Sequence, residues 1–293
     1  MSGPDPVPGY TPSPRPTFDR PTVIPYSSVT RHLWGDPVAG SVADWVYVSS
    51  DQIHQLVWGV PVGGGFTHSE ASRTVFGADV VYVVLEGAMV IANPETGETH
   101  RVAAGEAAFF RKDTWHHAWN DSEEPLRALE FMAPPPSQGT TGPYARTRPY
   151  LERPTYRRAD LTGRWPTAQG EVPLARTIWP LREADLLWTV EGDAHPLPVA
   201  LAVSTEHLAA GRVRLRPGQR GDRRQHAGDT GVYVVAGTLN VEILDGSRPN
   251  WLELGPRDGA FLPSGTPHAL HNIGGEPVEA WLGTAPPDPS PGS

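Results

Sequence analysis

The stretch that decides the fold is Gly259-Ala260-Phe261-Leu262-Pro263-Ser264-Gly265-Thr266-Pro267-His268, which Asn272 follows four residues later. A related stretch, Thr114-Trp115-His116-His117-Ala118-Trp119-Asn120, repeats the threonine, histidine and asparagine positions 152 residues earlier. Farther upstream in each copy, residues 81–87 (VYVVLEG) resemble residues 231–237 (GVYVVAG), with the closing glycines 150 residues apart. Matching blocks in the same order along the chain predict one structural unit that is present twice.

Between its proline-rich ends the chain predicts strands rather than helices. Short runs rich in valine, tyrosine, tryptophan or phenylalanine lie close to glycine, proline, aspartate or asparagine, which is typical of strands joined by turns. These runs are residues 45–49, 55–60, 80–85, 88–92, 107–111, 128–132, 199–204, 212–216, 231–235, 238–244 and 279–283. Many short strands of this kind indicate a sandwich or a barrel. One helix is expected around residues 181–188.

The pattern predicts five segments along the chain. They are an N-terminal proline-rich arm and lead-in (1–40), a first barrel (41–135), a connector with a short helix (136–197), a second barrel (198–285) and a C-terminal tail (286–293). The arm is expected to be extended and to bury little surface, because its closely spaced prolines favour polyproline conformations.

The composition excludes several classes of function. With 24 basic and 33 acidic residues the net charge is −9, and without a basic tract neither nucleic acid nor an anionic membrane is expected as a partner. The absence of cysteine excludes disulfides, thiolate nucleophiles and zinc–thiolate sites. Lys112 is the only lysine, and no phosphate-binding loop motif surrounds it. Because the sequence shows neither a signal-peptide pattern nor an apolar stretch of membrane-spanning length, we expect a cytoplasmic protein.

The repeated blocks resemble the signature motifs of cupins. The core of the second cupin motif, P-x-G-x-x-H-x-x-x-N, is matched in full by residues 263–272. The first copy matches the flanks of this motif but has Arg111-Lys112-Asp113 where Pro-x-Gly is usual. The resemblance covers roughly residues 45–132 and 200–283. It implies an all-β protein with two cupin-type barrels (double-stranded β-helix, or jelly-roll) in one chain.

In cupins an H-x-H pair, a glutamate and the second-motif histidine hold a divalent metal inside the barrel. The resemblance implies that the first barrel uses His68, Glu70 and His116, with Glu70 in place of the second histidine of the pair. The glutamate position of the family falls on Val80, and Asp79 is one residue out of register. Two imidazoles and a carboxylate favour Fe(II), with Mn, Zn and Ni as the other candidates. In the alternative interpretation His68 and Glu70 lie on a solvated loop and His116 is a hydrogen-bonded core residue.

The second barrel keeps fewer of the family's ligands. His226 and His268 correspond to two of them, whereas Arg224 and Thr230 occupy the other two positions. The resemblance therefore implies a weaker metal site at His226 and His268. Alternatively, Arg224 binds a substrate carboxylate or phosphate through two parallel hydrogen bonds, or it belongs to a solvated basic loop.

Three functional hypotheses follow from the resemblance. The first is a metal-dependent enzyme, most similar to dioxygenase-type oxidoreductases, that acts on a small organic molecule with His116 as the catalytic residue and Tyr82, Phe109 and Arg224 against the substrate. The second is a decarboxylase, isomerase or cyclase that uses His116 in acid–base chemistry. The third is a cupin that binds a small molecule without converting it. The sequence leaves the oligomeric state, monomer or homodimer, open.

Overall fold

The computed structural model describes residues 9–157 and 176–288 of the chain. Within these ranges the backbone forms 21 strands and one short α-helix, so the prediction of an all-β protein is confirmed. The first half of the chain holds β1 (Thr22–Ile24), β2 (Thr30–Asp36), β3 (Gly40–Ser49), β4 (His54–Val60), β5 (Gly65–Phe66), β6 (Asp79–Glu86), β7 (Ala88–Asn93), β8 (Glu98–Ala103), β9 (Ala107–Phe110), β10 (His117–Asn120), β11 (Leu126–Ala133) and α1 (Gly142–Arg146). The second half holds β12 (Ile178–Leu181), β13 (Leu187–Glu191), β14 (Leu197–Ser204), β15 (Ala209–Leu215), β16 (Asp229–Ala236), β17 (Leu239–Ile243), β18 (Trp251–Leu254), β19 (Gly259–Leu262), β20 (His268–His271) and β21 (Val278–Ala285).

The strands form two barrels, each built from a large and a small antiparallel sheet. In the first barrel a seven-stranded sheet in the order β12-β9-β6-β11-β4-β3-β2 packs against a four-stranded sheet in the order β5-β10-β7-β8. In the second barrel the corresponding sheets have the orders β1-β19-β16-β21-β15-β14-β13 and β18-β17-β20. The same strand order in both large sheets shows that the repeat seen in the sequence is a repeat of topology.

Strand β6 shows why the central strands are apolar throughout. Val80, Tyr82 and Val84 pack into the core of the first barrel, whereas Val81 and Val83 pack into a separate core between the two large sheets. Successive side chains of a strand point to opposite faces, so a strand that is covered on both faces needs apolar residues at nearly every position. The two barrels therefore share a hydrophobic interface as well as having a core each.

Glycines in the second barrel allow this interface to close. A Cβ atom on Gly283 would lie 2.3 Å from the Phe131 ring, and one on Gly231 would lie 2.1 Å from the Gln55 side-chain oxygen. With no side chain at Gly231, the buried Gln55 amide donates a hydrogen bond of 2.9 Å to the Val232 carbonyl. First-barrel side chains thus pack directly on second-barrel backbone.

One strand on each side crosses over to the other barrel. Strand β1 precedes the first barrel in the sequence but pairs with β19 of the second. Strand β12 lies in the connector and pairs with β9 of the first barrel. The arm with its lead-in and the connector were predicted to lie outside the barrels, but each contributes two strands to the large sheets: β1 and β2 from the former, β12 and β13 from the latter.

The backbone differs from the sequence prediction at residues 181–188 and keeps the motif turn at residues 111–113. The helix expected around residues 181–188 is wrong: Glu183–Asp185 form a single 3-10 turn, and β13 follows because its residues pair along β14. The unusual Arg111-Lys112-Asp113 segment keeps the turn of the motif, since Asp113 adopts a positive φ of 68°, close to the 74° of Gly265 in the other copy. Aspartate tolerates this left-handed conformation better than most residues. Among the described residues, no helix has the length and apolar character needed to cross a membrane.

Candidate functional site

The interior of the first barrel holds a cavity of about 80 Å³, which is several times the roughly 10–15 Å³ needed for one water molecule. Its wall is the inner face of the seven-stranded sheet, where alternate residues of each strand point inward. The sheet register places Leu56, Glu130 and Tyr82 side by side on β4, β11 and β6. All three line the cavity.

His116 lies at this cavity and is fully buried among aromatic rings. Its ring centroid is 4.4 Å from that of Phe110, 4.9 Å from that of Phe76 and 5.9 Å from that of Phe66. Burial lowers the pKa of His116 to about 4, so the imidazole is neutral at pH 7.

Hydrogen bonds define which nitrogen of His116 carries the proton. Nδ1 lies 3.4 Å from the Thr114 carbonyl, which can only accept, so Nδ1 is the protonated nitrogen. Nε2 then accepts from the Tyr82 hydroxyl at 3.1 Å. The lone pair of Nε2 therefore faces Tyr82 in the cavity, where it can act as a base.

Two acidic side chains, Asp44 and Glu130, line the same cavity. Burial raises the pKa of Glu130 to about 8. Burial, together with the nearby Glu130 carboxyl, raises the pKa of Asp44 well above its usual range. Glu130 therefore holds its proton at pH 7 and can donate it, or a hydrogen bond, to a bound molecule, and the shift of Asp44 also favours its un-ionised form.

Several polar atoms of cavity-lining residues have no hydrogen-bond partner within the described part of the chain. They include Trp58 Nε1, His54 Nδ1 and Thr74 Oγ1. Burial lowers the pKa of His54 to about 4, so this imidazole is also neutral. Because buried polar groups are nearly always hydrogen-bonded, these atoms indicate where a ligand would make its polar contacts.

The N-terminal segment and the loop after β11 close the cavity on one side. Tyr10 and Ser13 line it, and so do Thr141 and Gly142. The Tyr10 hydroxyl donates a hydrogen bond of 3.3 Å to Thr141 Oγ1, and its ring lies where a side chain on Gly142 would be. The segment predicted to be a simple arm is thus part of the cavity wall.

The structure does not bring the predicted metal ligands of the first barrel together. His68 lies outside the cavity, where it contacts His117 Nε2 and the Leu151 carbonyl, both at 2.7 Å. Glu70 is 62% exposed and pairs with Arg73. His116 alone of the predicted three lines the cavity. This corrects the ligand set His68, Glu70 and His116: the chain turns outward after β5, so that His68 packs under the connector instead of pointing into the barrel.

The predicted substrate contacts are also separated. Tyr82 lines the cavity, and its role in binding a substrate stays a prediction. Phe109 packs on the opposite face of β9, where its ring lies 5.8 Å from that of Trp179, so it does not contact the cavity. Its neighbour Phe110 is the inward-facing residue. Arg224 belongs to a groove of the second barrel.

In the second barrel the two predicted ligands are neighbours, with ring centroids of His226 and His268 5.6 Å apart. His226 Nδ1 is bound to the Asp288 carboxylate at 2.6 Å. His268 Nδ1 is bound to the Thr266 carbonyl at 2.9 Å, and burial is the main reason that its pKa is lowered to about 3. Whether this pair binds a metal stays a prediction.

Comparison with known protein families identifies the two barrels. The family model described as a cupin domain matches residues 77–132 and 211–282, one match in each barrel. The chain is a two-domain cupin. No curated protein sequence matches this cupin significantly.

Solved structures match the cupin over nearly its whole length. The putative glyoxylate-induced protein of Pseudomonas aeruginosa is 16% identical, covers 94% of this chain and 93% of its own, and has a TM-score of 0.63. Oxalate decarboxylase from Lactobacillus farciminis, solved as a formate complex, is 13% identical over 93% and 87%, with a TM-score of 0.61. The protein Ylba from E. coli is 10% identical over 93% of both chains, with a TM-score of 0.62. At these identities the likeness concerns the fold alone.

The donor set of the first barrel does not fit the metal that the family implies. Within residues 9–157 and 176–288 no three histidine, aspartate or glutamate side chains come together as a metal site. In the first barrel Val80, in the core, occupies the position of the family's glutamate, and the Phe66 and Phe76 rings pack against His116. Aromatic and aliphatic groups thus surround the one remaining ligand position.

Sequence reasoning missed Asp44, His54 and Glu130. One signal was present in the sequence: Glu130 interrupts the apolar run of residues 128–132, and Asp44 and His54 directly precede the runs at 45–49 and 55–60. A titratable residue in an otherwise apolar, buried strand is a candidate functional group. Burial of an unpaired polar or charged group lowers stability, so such a residue is unusual where it serves packing alone.

Proposed function

We propose that the first barrel of this cupin is an enzyme site that isomerises or cleaves a small, uncharged organic molecule by moving protons. The observation that carries the proposal is one cavity in which an un-ionised carboxyl, Glu130, and a neutral imidazole, His116, both lie next to Tyr82. A proton donor and a proton acceptor around one bound molecule are the requirements of general acid–base catalysis.

In the proposed reaction the two groups act on a carbonyl compound. His116 Nε2 removes a proton from the carbon beside the carbonyl while Glu130 gives its proton to the carbonyl oxygen, which forms an enol. In a β,γ-unsaturated carbonyl compound this enol is conjugated, and His116 then gives its proton to the γ carbon as Glu130 recovers its own from the enol oxygen, so that the carbon–carbon double bond moves to the α,β position. The product is an isomer, and both side chains end in their starting states. Where the β carbon carries a leaving group instead, the enol expels it: His116 gives its proton to the departing group, Glu130 recovers its own from the enol oxygen, and an α,β-unsaturated carbonyl compound remains.

The charges in the cavity favour an uncharged substrate. The guanidinium of Arg73 borders the cavity, but it is engaged by Glu70 at 2.5 Å and by the Arg148 carbonyl at 2.9 Å. A negatively charged substrate would add a buried charge beside two carboxyls that burial already keeps from ionising, which is unfavourable. A neutral carbonyl compound satisfies their O–H groups, and the Trp58 and Phe66 rings provide apolar contact.

Oxidation by dioxygen, the first hypothesis from sequence, has less support. It requires a metal held by several ligands in one barrel, and His68 and Glu70 are kept away from His116. Acid–base chemistry needs only groups that line the cavity.

The test follows proton exchange on hydroxyacetone, a small neutral carbon acid. Chelator-treated full-length protein is incubated with hydroxyacetone in D2O, and loss of the C–H signals is followed by proton NMR. We expect exchange that E130Q and H116Q slow by roughly a hundredfold or more. The exposed Glu123 provides the matched control, E123Q, which should exchange like the wild type.

The pH dependence gives a second readout. Exchange should be fastest between pH values of about 4, below which His116 is protonated, and about 8, above which Glu130 is ionised. Equal rates for wild type and E130Q, or exchange that requires added Fe(II), would contradict the proposal. Saturable binding of hydroxyacetone without exchange would favour the third hypothesis, a cupin that only binds its ligand.

A further inference from the structure

The second barrel contains a groove of about 150 Å³ that plays no part in the proposed acid–base site. Strands β14, β15 and β21 form its apolar wall, and Arg224, His226 and Asp288 lie on its polar side. An apolar wall opposite a few converging polar groups is the usual composition of a small-molecule site.

Arg224 is the cationic group of this groove. Its backbone exchanges two hydrogen bonds of 2.8 Å with His268 across an antiparallel bridge, so the two side chains project to the same side. The guanidinium is 14% exposed and lies 3.2 Å from the Glu191 carboxylate. Burial lowers the pKa of Arg224 from its usual value, and Glu191 and Asp288 act against that shift. A largely buried arginine beside a groove is suited to binding a carboxylate.

The structure already holds a carboxylate at this place, and it belongs to the chain itself. Asp288 accepts hydrogen bonds of 2.6 Å from His226 Nδ1 and from the Ala227 backbone N–H. Arg224 and Asp288 line the same groove. The groove therefore offers a side-chain and a backbone hydrogen-bond donor to a carboxylate placed in it.

His268 supplies a different kind of contact. Its Nδ1 donates to the Thr266 carbonyl at 2.9 Å, which leaves Nε2 as an acceptor. This Nε2 is buried and has no partner among the residues that the structure describes. His268 does not itself line the groove, but its ring lies 5.6 Å from that of the lining residue His226, on the side to which Arg224 projects. Because buried acceptors are normally hydrogen-bonded, this nitrogen favours a ligand that carries a hydroxyl donor close to its carboxylate.

We propose that the groove of the second barrel binds a small 2-hydroxycarboxylate. The ligand carboxylate takes the place of the Asp288 side chain beside His226 and Arg224, and the ligand hydroxyl donates to His268 Nε2. Asp288 is then an internal competitor, and Pro287 and Asp288 leave the groove when the ligand enters. The site is independent of the proposed chemistry in the first barrel, because it shares no residue with that cavity.

Calorimetric titration of the full chain with glycolate and with acetate tests this proposal. Removing a charged hydrogen-bonding competitor with D288N should tighten glycolate binding by roughly tenfold or more. Glycolate should bind D288N more tightly than acetate does, because acetate lacks the hydroxyl. The added substitution R224Q should abolish binding of both anions. H268F, also in the D288N background, should remove only the preference for glycolate.

Controls separate the site from general effects. Asp245 is an aspartate of the same barrel that accepts a hydrogen bond of 2.7 Å from the Ser247 N–H in its own turn, so D245N should titrate like the wild type. Thermal unfolding checks that each variant is folded. The proposal is overturned if D288N binds glycolate no more tightly than the wild type does, or no more tightly than it binds acetate. It is equally overturned if Zn²⁺ raises the melting temperature of D288N and glycolate does not.

Discussion

Replacing Glu130 by glutamine should stabilise the protein at high pH and leave its stability almost unchanged at low pH. Burial raises the pKa of Glu130 to about 8 from the usual 4.5. The folded chain therefore keeps this proton over a pH range in which the unfolded chain has lost it. Stability falls with rising pH wherever the folded state binds more protons, so the contribution of Glu130 is fully present below pH 4.5 and is lost as the pH rises through about 8.

The magnitude follows from the two pKa values. At about 1.4 kcal/mol for each pKa unit, the gap between 4.5 and about 8 corresponds to a loss of at most about 5 kcal/mol in the free energy of unfolding. Glutamine has nearly the size of the protonated acid and does not titrate. The stability difference between E130Q and the wild type should therefore be near zero below pH 4.5 and grow to several kcal/mol above pH 8.

Urea unfolding, followed by tryptophan fluorescence across this pH range, measures the difference. The variant E123Q is the control, since Glu123 is exposed and the same charge is removed there. If the stability difference for E130Q did not change with pH, Glu130 would be ionised in the folded protein. The proposed acid–base site would then lack its proton donor.

Three further perturbations test other parts of the structure. H68A should lower the free energy of unfolding, measured in urea, by about 1–3 kcal/mol, because His68 hydrogen-bonds to the Leu151 carbonyl and packs on Trp115. Proton exchange on hydroxyacetone should be unchanged in this variant. Loss of a bound metal in H68A would contradict the structural role of His68. G283A should lower the free energy of unfolding by about 1–3 kcal/mol in the same assay, because the added Cβ would meet the Phe131 ring. The matched control is G275A, whose added Cβ meets open space. Equal stability of the two variants would refute the packing argument. Mn²⁺ or Zn²⁺ added to the chelator-treated wild-type protein should give no rise in melting temperature that depends on His116. A saturable rise that H116A abolishes would show that a metal binds in the first barrel.

The repeat and the strands could be predicted from sequence because their signals are local. The P-x-G-x-x-H turn and the apolar runs ending in Gly87 and Gly237 depend on residues within one hairpin. The duplication then fixes the order of these blocks in both halves. The cupin fold needs little more than this pattern, because each block specifies a strand, a turn and an inward-pointing face.

The site could not be predicted to the same extent because its composition depends on contacts between distant residues. His68 sits where the family has a ligand, but Leu151 and Tyr150 of the connector bind it outside the barrel. Nothing near His68 in the sequence indicates this. Conversely, Glu130 lies in a strand whose other residues are mostly apolar. Only the pairing of β11 with β6 shows that Glu130 lies next to Tyr82.

The strands that cross between the barrels affect how the chain folds during synthesis. Strand β1 emerges from the ribosome roughly 235 residues before its partner β19. At roughly 5–20 residues per second, β1 waits about 10–50 s with its backbone unpaired. Pro21 and Pro25 flank β1 directly and limit the pairing that an extended segment offers to other strands. These two prolines therefore reduce the pairing of β1 with other strands during the interval before β19 is made.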